Sequence, residues 1–141
     1  MSRPAERSPT PGTFAGEVRR QFGPVALGWG LDDPAEDDTV LPSLEYRGDR
    51  LSYDWMLDPG DGAVSVSVRL IVAGGVLHGW LEEIVAGSGL GVRQDVRAHP
   101  PAAAVASHIA WLTRLHPMLT GPGAEEFLER AGARKATPDL A

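Results

Sequence analysis

Residues 63–86, AVSVSVRLIVAGGVLHGWLEEIVA, alternate apolar and polar side chains on both sides of a Gly-Gly pair. That pattern predicts two long antiparallel strands joined by a tight turn at Gly74-Gly75. Glycine is suited to a type I′ turn because both central residues take positive φ without a Cβ clash. With this turn, Val72 faces Leu77, Leu70 faces Gly79, Val68 faces Leu81 and Val64 faces Val85. The only charge on that face is Glu83, opposite Val66. The other face carries Ile71 opposite His78, Arg69 opposite Trp80 and Ser67 opposite Glu82. A one-residue slip would move all of these groups into the core, so the buried side is well determined. The mixed face is then solvated, covered by a helix, or a binding surface.

The flanking chain supports an α+β fold. Residues 1–12 contain three prolines and no apolar period, which predicts a disordered arm. Phe14, Val18 and Phe22 predict a short helix ending at Gly23. Val25, Leu27, Trp29 and Leu31 have strand spacing. LEYRGDRLSYDWML predicts a second hairpin turning at Gly48-Asp49. Leu44, Tyr46, Leu51, Tyr53 and Trp55 lie on one of its faces, and Glu45, Ser52, Asp54 and Met56 on the other. GSGLG (87–91) reads as a flexible connection and VRQDVRA as one more strand, with Val92 and Val96 inward. A helix follows Pro100-Pro101, burying Val105, Ile109, Leu112 and His116, with His108, Trp111 and Leu115 beside them, and Pro117 ends it. A last helix stops at Gly132. The expected fold is an antiparallel sheet of five or six strands with an N-terminal helix and two C-terminal helices. It occupies one domain, residues 13–132, ahead of a polar tail at 133–141.

Charge narrows the function. The chain has 141 residues and a net charge of −6, placed unevenly. Residues 24–62 hold ten acids against Arg47 and Arg50, whereas residues 63–141 balance at seven and seven. Asp32, Asp33, Glu36, Asp37 and Asp38 are concentrated in seven residues, a pattern that predicts an extended, solvated loop. Acidity of this kind argues against nucleic acid, whose phosphates need a basic footprint. There is no cysteine, so thiol chemistry and disulfides are excluded. Arginine outnumbers lysine twelve to one and asparagine is absent, a bias that suggests a GC-rich bacterial genome. No apolar run is long enough for a membrane span and the N-terminus lacks a signal-peptide core, so a cytoplasmic location is expected.

Catalytic motifs are weak. The acids lack the ligand spacing and central glycine of an EF-hand, so no metal is expected. His108 and His116 point about 80° apart on their helix, poor geometry for one ion. Ser88, Asp95 and His99 occur without a nucleophile elbow. GSGLG lacks a lysine and a following helix, so it does not cradle phosphate. No catalytic residue and no cofactor are assigned. The tryptophans say more, because an indole N–H needs a partner and favours core edges and interfaces. The expectation is a non-catalytic protein-binding domain of inhibitor, immunity or chaperone type. It engages a basic partner through Asp32, Asp33, Glu36, Asp37 and Asp38, with Arg69 and Trp80 as anchors. The alternative is a small-ligand binder with an apolar pocket between sheet and helix, where His78, His108 and Trp111 are the lining or interface candidates. A small histidine-dependent enzyme ranks third. Only Arg114 is charged between Pro100 and Pro117, so a homodimer contact on that helix is also expected.

Overall fold

Each strand pairs antiparallel with the next one in sequence, so the sheet order follows the chain without a crossover. A computed structural model describes residues 11–90 and 101–136. The strands are β1 (Ala35–Asp37), β2 (Ser43–Arg47), β3 (Leu51–Leu57), β4 (Val64–Val72), β5 (Gly75–Trp80) and β6 (Arg134–Ala136). The helices are α1 (Pro11–Gly28), α2 (Leu81–Gly87), α3 (Pro101–Thr120) and α4 (Ala124–Arg130). The architecture is α+β, with a six-stranded antiparallel sheet, an N-terminal helix and two C-terminal helices.

Strand alternation sorts the sheet into two unlike faces. Leu44, Tyr46, Tyr53, Trp55, Val66, Val68, Leu70 and Leu77 are buried in one core with Phe14, Val18 and Phe22 of α1 and Val105, Leu112, Leu115 and Leu119 of α3. The helices meet the sheet on that face. Phe22 packs against Tyr46, Tyr53 and Trp55, and Ile84 of α2 lies against Gly79. The opposite face carries Glu45, Asp54, Met56, Arg69, Ile71, His78 and Trp80, and none of these joins the core.

Several local expectations are corrected. α1 does not stop at Gly23 but continues through Pro24 to Gly28, so the strand expected at residues 25–31 is replaced by the helix end and the turn after it. Phe22 and Ala26, four apart, are both buried while Leu27 is exposed, which is helical rather than alternating burial. Gly30, at φ +78°, is the true stop. Leu31 N–H donates to Ala26 C=O and Gly30 N–H to Leu27 C=O, which is a Schellman motif. α4 ends in the same way, with Gly132 at φ +100° as expected. α3 passes Pro117 and ends at Thr120.

The central hairpin turns one residue earlier than expected. Val72 pairs with Gly75 and Val68 with Gly79, not with Leu81. Only Gly74 has positive φ, so the turn is not type I′. The shift moves each partner by two residues, so every side chain from Val64 to Trp80 keeps its expected face. Gly75 serves another purpose, since a Cβ there would overlap the Ala136 carbonyl of β6. Residues 81–87 form α2 and not a strand. Leu81, Ile84 and Val85 bury its inner side, and Glu82 and Glu83 occupy the first turn, where the helix dipole favours acids. Gly48 does not adopt positive φ; it allows close approach of the Leu31 side chain. The acidic stretch includes β1 instead of being wholly a loop, and the stretch read as a polar tail includes β6. The strand expected at Val92–Val96, most of the arm at 1–12, and Asp95 and His99 lie outside the described residues.

Candidate functional site

The acidic hairpin stands at one edge of the sheet. Asp32, Asp33, Glu36, Asp37 and Asp38 are all exposed, and among the described residues β1 pairs only with β2. Glu36 forms an ion pair with Arg19 of α1 at 2.8 Å. The other four acids form no ion pair among the described residues. The Asp37 carboxylate accepts the Thr39 N–H at 2.8 Å, and Thr39, through its hydroxyl first and this N–H second, holds the Asp37 pKa below the usual carboxylate value. Ser43 Oγ donates to the Asp37 carbonyl. Val40, at the tip, is 88% exposed, so an aliphatic side chain projects into solvent among the acids.

The open face holds the second group. One row across the sheet runs Ala35, Glu45, Asp54, Ser67, Trp80, and the next runs Arg47, Ser52, Arg69, His78, Arg134. Glu45 joins Arg47 at 2.8 Å and Arg69 at 3.8 Å. His78 Nε2 lies 3.2 Å from Ser67 Oγ, and its ring meets the Trp80 ring edge-on at 5.7 Å. Arg69, Trp80 and His78 are therefore brought together as a cluster. Burial pushes the Asp54 carboxyl up to about 6, with the neighbouring Glu45 adding to the rise and Arg69 opposing it. Its Oδ1 is buried without a partner among the described residues. The acidic edge and the anchors lie on one sheet but not side by side, since four strand spacings of about 4.8 Å separate β1 from Trp80.

The remaining candidates have structural explanations. His108 Nε2 lies 2.8 Å from the Val64 carbonyl, which can only accept, so this nitrogen carries the proton and ties α3 to β4. Burial lowers the His108 pKa, and its ring lies 6.0 Å from that of Trp55. Trp111 is half-buried beneath the Arg114 guanidinium, 4.6 Å from its ring centre. Trp55 departs from the tryptophan expectation, being fully buried with an indole N–H that has no partner among the described residues. Those residues bring no three His, Asp or Glu side chains together as a cation site.

A cavity of about 300 Å³ opens where the C-terminal ends of α1 and α3 meet the β2–β3 turn. Trp29 and His116 stack there, with ring centres 3.7 Å apart and planes 5° from parallel. Tyr53 Oη lies 2.7 Å from His116 Nδ1. The sequence pattern points to a pocket against residues 102–115 and to Trp29 only as one of four tryptophans expected at core edges or interfaces; nothing in it marks Arg50 or Val40. The available signal was the polar His116 on an apolar helix stripe. The strand spacing assigned to Val25–Leu31 concealed Trp29, which belongs to a helix end. No family model matches this chain, and no curated protein or solved structure shows detectable similarity to it.

Proposed function

We propose that this is a non-catalytic protein-binding domain that takes a basic protein partner along the β1–β2 hairpin and the adjoining open face. One observation carries this reading. Five exposed acids lie on and beside the edge strand β1, and the hairpin tip that follows them presents a valine that is 88% exposed. Clustered like charges raise the encounter rate with a cationic surface, and an aliphatic tip supplies contact area that charge alone does not. The outer edge of β1, unpaired among the described residues, offers a basic extended segment a strand to pair with. Arg69 and Trp80 serve the same partner as distal anchors. They lie about 14 and 19 Å from β1 by strand spacing, within the reach of a standard interface of about 800 Å² per side.

The test begins with the protein that the wild-type domain retains from its source lysate. Replacing the five acids with Ser and Gln should slow association with that protein more than about tenfold at low salt and leave dissociation nearly unchanged. Raising ionic strength should slow the wild type toward the variant, because exposed charges are screened within about 8 Å at physiological salt. A retained protein that is acidic, or that binds the variant at the wild-type rate, would remove the proposal.

A further inference from the structure

The geometry points to the cavity beside Trp29 and His116 as a binding site for a small monocarboxylate with a compact apolar or aromatic body. This site is separate from the acidic hairpin and stands or falls independently of it. A volume of about 300 Å³ lies at the lower end for ligand pockets, and an apolar cavity of about 150 Å³ already accepts benzene, so a one- or two-ring molecule fits. Leu51, Leu70 and Leu119 provide apolar wall, and all three are shielded from bulk water.

Two lining side chains, His116 and Arg50, supply the donors, and Tyr53 sets the state of the first. Burial raises the Tyr53 pKa far above its ordinary value, so the phenol keeps its proton. Burial lowers the His116 pKa, so its ring is neutral. The phenol has no acceptor among the described residues other than His116 Nδ1, and it therefore donates there. The ring proton then resides on Nε2, a donor left without a protein partner among those residues. The Trp29 stack prevents the ring from turning away. At the mouth, Arg50 is held by a bond from Nε to the Ile71 carbonyl at 3.1 Å, and its terminal nitrogens carry no carboxylate among the described residues. One fixed N–H and one guanidinium suit a carboxylate. Asp49, also at the mouth, would repel a second negative charge, which favours a monoanion over a phosphate or dicarboxylate.

The probes are indole-3-acetate and 4-methylpentanoate, with tryptophol and tryptamine as neutral and cationic counterparts. Each is titrated into the ¹⁵N-labelled full chain. At least one carboxylate should saturate with Kd below about 1 mM, within what a ligand of this size can attain. It should move the Trp29 indole N–H and the amides of residues 116–121. Tryptophol should bind indole-3-acetate's site at least about fivefold more weakly, and tryptamine should not saturate. Arg50→Gln, at an exposed position, should weaken carboxylate binding about tenfold and leave tryptophol unaffected. The inference is overturned if neither carboxylate saturates by about 10 mM, if charge makes no difference, or if the shifts map elsewhere.

Discussion

Asp54 and the buried histidines pull the stability of this protein in opposite directions with pH. The Asp54 carboxyl, raised to about 6, keeps its proton where the unfolded chain has already lost it. Stability from this residue therefore falls as pH rises from about 4 through about 6, and then levels off. His78, His108 and His116 behave oppositely. Burial lowers each pKa, so the unfolded chain takes up protons first and stability falls as pH drops below about 6.5. Asp54→Asn should be more stable than wild type at pH 7 by about 1 kcal/mol, less than the full linkage value because water screens a half-buried group. At pH 4 the gain should vanish. Urea titrations at the two pH values check this, and an equal difference at both would contradict the assignment.

At the scale of elements, adjacent glycines in one turn serve unlike ends. Gly74 is needed for its positive φ, and Gly75 for the passage of β6. Gly75→Ala should therefore release β6 while leaving the β4–β5 pairing in place. Hydrogen exchange should show Arg134–Ala136 losing protection as Val68–Val72 keep it; continued protection of β6 would refute the close approach. The same pair shows what the sequence could and could not disclose. Alternation from Val64 to Gly79 identifies the core face correctly, because period-2 burial survives a two-residue change of partner. It could not reveal that the second glycine answers to a strand some sixty residues later. Leu81, Ile84 and Val85 carry helical spacing, but seven residues continuing a strand do not announce the change of period. Gly23 and Pro117 misled similarly, since packing of Ala26 and Leu119 in the core sustains helix past both. The Trp29–His116 cavity was illegible because it forms only where two helix ends and a turn converge.

For the whole molecule, the outer side of α3 stands out, because Arg114 is the one charge on it. Ala103, Ala106 and Ala110 are exposed along it. A second copy of the chain is the occupant expected there, since self-complementary two-fold contacts are the commonest assembly. Ala103→Glu combined with Ala110→Glu should lower the association state in sedimentation without changing the melting of the monomer. A wild type that stays monomeric at high concentration would exclude this contact.

The uninterrupted strand order has a kinetic consequence. From β1 to β5 each strand needs only its immediate predecessor, so the sheet can assemble in the order in which a ribosome releases it. Local pairings of this kind close small loops at little entropic cost and favour rapid folding. β6 is the exception. Its partner β5 precedes it by α2, α3 and α4, so its pairing closes a far larger loop. The final strand should dock last, and a chain still on the ribosome would carry β5 as a temporary edge, with Gly75 waiting for the backbone that fills it.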